Sequence, residues 1–223
     1  MKQAEVIKFL KKKGTRKNAS GMARFGIRPK TKVYGVSVTT LRLLAKTIGK
    51  DTRLAKQLYQ SKVHECRLLA SIIADARELN GKEMDVWARD FDSWDICDLT
   101  CMNVFRYHPL ALQKCLAWSR EEREYYKRAS FALMAALASD KKNKISNEEF
   151  EKFFPLLVKN ANDERNYVKK AVSWALRQIG KRNESLRQEA MAVAASIIKL
   201  NTPSARFIGG DALRELRSKG QIK

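Results

Sequence analysis

Two tryptophans and one aspartate, set among arginines and lysines, carry the clearest chemical signal in this chain. Trp94 and Asp98 are four residues apart, so on a helix they share one face. Arg128 follows on a later segment. Trp174 comes from a third, with Lys169 and Lys170 one turn before it and Arg177 three residues after it. Positive side chains bring a phosphate backbone to such a surface. Aromatic faces attract cations and pack on sugar or base edges. A carboxylate stabilises positive charge as it develops. Together these suit cleavage of an N-glycosidic bond, which passes through an oxocarbenium-like sugar. A base already cationic through alkylation leaves as a neutral purine, so no general acid and no catalytic histidine are needed. The set suits phosphodiester hydrolysis poorly, because that chemistry usually wants metal ligands or a base. Taken alone, these residues leave other chemistry on a bound polyanion open. Each also has a plainer reading, as a core tryptophan or as an Asp–Arg salt bridge between neighbouring helices. Asp95, about a quarter-turn from Trp94, reads as a helix-start or supporting carboxylate.

The elements that must position these residues are helices. Four segments read as one helix repeated: Arg67-Leu-Leu-Ala-Ser-Ile-Ile, Asp98-Leu-Thr-Cys-Met-Asn-Val, Arg128-Ala-Ser-Phe-Ala-Leu-Met and Lys170-Ala-Val-Ser-Trp-Ala-Leu. Their spacings of 31, 30 and 42 residues are those of helical solenoid repeats. Equivalent positions of a solenoid stack in register, so Asp98, Arg128 and Lys170 are expected to line one groove. A first helix carries Val6, Ile7 and Leu10 and runs into Lys11, Lys12 and Lys13. From Ser37 the chain reads as paired helices, with Asn147 to Asn160 as one of them and a last helix from about Pro203 to Leu216. Thr202 before Pro203 is a helix-start signal. No strand or hairpin pattern appears. One domain over 1–223 is expected, with 203–223 as its C-terminal helix and tail. Between Gly14 and Tyr34 the periodicity is lost. That stretch holds three glycines, Pro29 and eight basic residues, if Lys12 and Lys13 are counted with it. It reads as a basic loop that orders on a partner.

The bulk composition supports a nucleic-acid partner. Lys plus Arg is 45 against 24 Asp plus Glu in 223 residues, a net charge of +21. Such a field favours a polyanion, although an anionic membrane surface would also be met by it. With 44% hydrophobic residues the chain should fold alone. No apolar run of about 18 residues occurs, so no transmembrane helix is expected. The first ten residues mix charges with apolar side chains, unlike a signal peptide, which points to the cytoplasm. Cys66, Cys97, Cys101 and Cys115 form no Cys-x-x-Cys pair, and neither His64 nor His108 sits at ligand spacing from them. Reduced structural thiols are expected, with no metal site and no cofactor.

The chain resembles the AlkD-type DNA alkylation-repair glycosylases built from HEAT-like repeats. The likeness is carried by Met22-Ala-Arg24, Trp94-Asp-Ile-Cys-Asp98, Lys127-Arg128-Ala and Tyr167-Val-Lys-Lys-Ala-Val-Ser-Trp174-Ala-Leu-Arg177. It spans about residues 18 to 200. It implies an all-α fold, a right-handed solenoid of HEAT-like antiparallel helix pairs with a concave basic groove. It implies a monomer that excises cationic N3- and N7-alkylated purines, such as 3-methyladenine and 7-methylguanine, from duplex DNA. By that likeness Asp98 supports the oxocarbenium and orients the attacking water. Trp94 and Trp174 pack on the lesion's deoxyribose, and Arg128 holds the backbone beside it. Arg24, Phe25, Ser37, Lys127, Lys169, Lys170 and Arg177 are the further DNA contacts. The family grips DNA by its backbone rather than drawing the base into a pocket. Two positions depart from the pattern: Phe25 stands where it has Tyr, and Ser37 where it has Gln. Both lie in the part that touches DNA, so the lesion preference is open. Two other readings stand beside this one. The chain could be a non-catalytic HEAT-like module for branched or damaged DNA, or a protein-binding solenoid whose charge keeps it soluble.

Overall fold

Helices account for nearly all regular structure, because apolar residues recur at helical spacing and the breaks carry caps. The structure is a computed structural model that describes residues 1–219, so the last residues of the expected tail, 220–223, lie outside the described residues. The helices group into two compact units, Met1–Pro109 and the residues from Leu110 on.

In the first unit, α1 (Gln3–Lys13), α2 (Arg16–Met22), α3 (Val38–Ile48), α4 (Thr52–Gln60) and α5 (His64–Ile73) are followed by α6 (Gly81–Arg89) and α7 (Trp94–Asn103). α5 is the hub, packing on α3, α4 and α7. That position explains why it is buried from His64 to Ser71, polar residues included. Caps set the helix starts. Ser37 Oγ accepts from the Thr40 amide at 3.2 Å, Asp51 from Leu54 at 2.8 Å, and Asn80 forms a capping box with Glu83.

In the second unit, α8 (Ala111–Trp118) packs on α9 (Glu124–Ser139). α10 (Asn147–Glu151) and α11 (Phe154–Lys159) lead to α12 (Asn166–Gly180), and α13 (Glu184–Ile198) to α14 (Pro203–Lys219). α9 is buried without interruption from Arg128 to Ala138. Its alanines leave room for α12 to lie close against it. α14 starts as the sequence predicts, with Thr202 Oγ1 accepting from the Ala205 amide at 3.2 Å.

Two expectations are corrected. The stretch from 14 to 34 is not a loop throughout. Residues 16–22 form α2, capped by Thr15, and Ala23–Phe25 continue as a 3-10 turn. None of these residues is buried, so no apolar period marks the helix. The expected single helix from Asn147 to Asn160 is two, α10 and α11. Pro155 sits in the first turn of α11, where a missing N–H costs nothing, and would disrupt a continuous helix. Among the described residues no strand forms, only an isolated bridge between Lys32 and Val63. No helix among them is long and apolar enough to cross a membrane. All four cysteines are buried and form no disulfide among the described residues.

Three of the four repeat residues take the same position in their own helices. Asp98, Arg128 and Lys170 each stand four residues after the first residue of α7, α9 and α12, and Arg67 stands three after the first of α5.

Candidate functional site

Trp94 and Asp98 lie on the first turns of α7, both half-buried. No side chain caps this helix end. Its anchor is instead a buried polar cluster one residue on. Asp95 Oδ2 is 2.8 Å from His64 Nε2 of α5, and Ser93 Oγ donates to Asp95 Oδ1 at 2.6 Å. A carboxylate only accepts, so this bond puts a proton on Nε2. Burial pushes the Asp95 carboxyl up, but the His64 bond and charge, Ser93 and the Ile96 amide together hold it below the usual carboxylate range. Asp95 is thus a supporting carboxylate, and it fixes the rotation of α7 that aims Trp94 and Asp98. His64 was missed as part of the site. A signal existed: His64 precedes Asp95 by the same 31 residues that separate Arg67 from Asp98.

The basic segment gives Trp94 its second anchor. The Trp94 indole Nε1 donates to the Phe25 carbonyl at 3.0 Å, while the Phe25 ring is 72% exposed. Arg24 and Ser37 are exposed too, and Ser37 is occupied in capping α3. Buried Glu65 holds the segment in place by accepting from three successive amides, Tyr34 at 3.0 Å, Gly35 at 2.6 Å and Val36 at 3.3 Å. Gly35 has φ +80°, and a Cβ there would lie 2.2 Å from the Thr15 carbonyl, so only glycine fits. The Lys30 amide donates to Asp92 at 2.8 Å, and Asp92 also pairs with Arg67 at 2.9 Å. Arg67, the first repeat residue, is therefore a buried structural cation.

In the second unit Arg128 is buried, and its Nη1 donates to the Tyr167 carbonyl at 2.6 Å, tying α9 to α12. Beside it the Tyr125 and Tyr167 rings lie 5.3 Å apart. Burial, reinforced by Tyr167 and Glu124, pushes the Tyr125 hydroxyl up. Sequence reasoning did not single out this tyrosine pair, which stands one residue after the first of each helix. Lys127 Nζ is 3.6 Å from Asp163. Trp174 is half-buried, and its indole donates at 3.3 Å to the Gln178 amide oxygen, in the amide orientation that also accepts from Lys181. Lys169 is half-buried and Lys170 exposed. Arg177 turns to α14, where it pairs with Asp211 at 3.2 Å and with Glu215, which also takes Lys181 at 2.7 Å. For Arg177 the plainer salt-bridge reading describes what the guanidinium touches.

The chain matches the family model described as DNA alkylation repair enzyme over residues 6–215. A solved structure, described as a new family of proteins related to the HEAT-like repeat DNA glycosylases with affinity for branched DNA structures, shares the fold. The TM-score is 0.78 at 19% identity, covering 87% of this chain and 83% of that one. No curated protein matches. The match to nearly the whole length, on an all-helical HEAT-like fold, settles the kinship: the chain belongs to the DNA alkylation repair enzyme family.

Proposed function

We propose that this chain is a monofunctional alkylpurine DNA glycosylase that hydrolyses the N-glycosidic bond of cationic N3- and N7-alkylated purines in duplex DNA. The observation that carries this reading is the start of α7. There Trp94 and Asp98 share one half-buried face, fixed by the His64–Asp95 pair below and the Phe25 carbonyl beside it. In the reaction the electrons of the C1′–N9 bond pass to the cationic purine, which leaves neutral. Asp98 stabilises the oxocarbenium sugar, and water adds to C1′ and gives up a proton, leaving an abasic site. Trp94 packs on the deoxyribose. Lys170, Lys169 and Arg24 meet phosphates. Within the second unit Arg128 and Lys127 hold α9 to Tyr167 and Asp163. The chemistry asks for no metal and no cofactor.

The test compares base release from duplexes carrying 7-methylguanine or 3-methyladenine with release from duplexes carrying neutral 8-oxoguanine. Release of the cationic bases alone is expected, because only they leave without a general acid. Equal release of 8-oxoguanine would require an acid this reading lacks and would overturn it.

A second reading has its own support. The similar solved structure is described by its affinity for branched DNA. A non-catalytic DNA-binding module would bind branched duplexes tightly and release no base from any of them.

A further inference from the structure

The first unit contains a cleft that the reaction above does not use. Its volume is about 620 Å³, and α4, α6, Lys30 and Thr31, and the turn at Lys62 contribute to its walls. Its apolar surface comes from Tyr59, Trp87 and Val86. The Tyr59 and Trp87 rings stack on each other at 4.2 Å and are nearly buried, so the cleft meets their edges. Val86 is 51% exposed and offers the open apolar face.

Most charges around the cleft are already matched. Lys56 pairs with Glu83 at 2.6 Å, and Arg67 pairs with Asp92 at 2.9 Å. Three remain. The ammonium groups of Lys30 and Lys62 and the carboxylate of Asp90 form no ion pair among the described residues. Lys62 is also held at φ +53°, in the left-handed region that lysine seldom adopts. Two backbone bonds enforce this, Lys32 N–H to the Lys62 carbonyl at 3.1 Å and His64 N–H to the Lys32 carbonyl at 2.8 Å. Thr31 Oγ1, also on the cleft, is buried and has no hydrogen-bond partner among the described residues.

Two cations, an acceptor and an apolar wall in one cleft match the parts of a nucleotide. We propose that this cleft binds one unpaired nucleotide of a single-stranded DNA segment, with its phosphate on Lys30 and Lys62, its base against Val86, and a base amino group donating to Asp90. The volume falls in the range of small-molecule sites and is far too small for a duplex. Carboxylates accept from cytosine amino groups in DNA recognition, and the same chemistry is available to adenine and guanine. The site rests on the reading that the chain acts on DNA, and not on the base-release reaction.

The test is fluorescence anisotropy with the full chain on a blunt duplex and on the same duplex with a five-nucleotide single-stranded overhang, at one salt concentration. The overhang is expected to tighten binding by about fivefold or more, in line with the worth of one well-held base. The double variant Lys30→Gln, Lys62→Gln and, separately, the surface variant Val86→Asp should abolish that gain. Blunt-duplex affinity should change by less than about twofold in each. No gain from the overhang in the unaltered protein would overturn the proposal. So would an equal weakening of both DNAs in the variants, which would mark the lysines as part of the general positive field. Release of 7-methylguanine from blunt duplex by the same variants separates the two readings, because it should stay unchanged whether or not the cleft binds a nucleotide.

Discussion

At the scale of single residues, the candidate site rests on side chains buried beneath it. Asp95 is the plainest case. Its carboxyl is held below the ordinary range, so it contributes stability above its unfolded pKa of about 4, and that contribution fades as pH falls through the folded value. Asp95→Asn should therefore cost about 2 kcal/mol at neutral pH, with the gap to the unaltered protein closing below about pH 4. Chemical denaturation at steps from pH 7 down through pH 4 to pH 2.5 measures both. A gap that does not narrow anywhere below pH 4 would mean the charge is not what stabilises the start of α7. Trp94→Phe keeps an aromatic ring but loses the bond to the Phe25 carbonyl. It should cost at most about 1 kcal/mol of stability and lower single-turnover base release about tenfold, since the ring is no longer aimed. Trp94 and Asp98 were legible because four-residue spacing places them together whatever the rest of the chain does. His64 was not. A lone histidine gives no sign of what it faces, and only the repeat period, applied to a second pair of positions, points from it to Asp95.

At the scale of elements, the sequence shows helices where one face is buried and misses α2, where none is. α2 contributes nothing to the core, so its residues carry no period, and it is recognisable only through the Thr15 cap and its seat on Gly35. That seat is governed from α5 by Glu65. Glu65→Ala should strand three buried or half-buried amides and cost about 3 kcal/mol or more. It should also loosen the segment bearing Arg24 and Phe25. Hydrogen exchange over residues 14–36 should rise while α9 and α12 stay protected. Uniform protection across 14–36 in the variant would show that the segment is held by something other than Glu65. The break between α10 and α11 is the opposite case. The apolar pattern runs on, and Pro155 overrules it.

At the scale of the whole molecule, charge is distributed unevenly along the chain. Residues 1–50 hold fourteen of the 45 Lys and Arg and a single acid, Glu5. The bulk charge made nucleic acid the natural partner, and the family confirms DNA repair as the setting. The bulk number could not show which cations are already spent. Arg177 and Lys181 are engaged by Asp211 and Glu215, whereas Lys170 is exposed. Lys170→Ala should lower the slope of log affinity against log salt by about 1 on undamaged duplex. Arg177→Ala should leave that slope nearly unchanged and lower the melting midpoint instead, through the loss of its tie to α14. Equal slope changes for both would mean that the carboxylates release Arg177 to DNA.

The most direct test of the central claim is single-turnover release of 7-methylguanine from duplex DNA by the unaltered protein and by Asp98→Asn, with DNA affinity measured alongside. The account predicts release by the unaltered protein, a loss of about a hundredfold or more in the variant, and affinities within about threefold of each other. Release that persists at full rate in Asp98→Asn would contradict the assignment of the carboxylate. Tight binding by both proteins with no release from either would contradict the glycosylase reading itself.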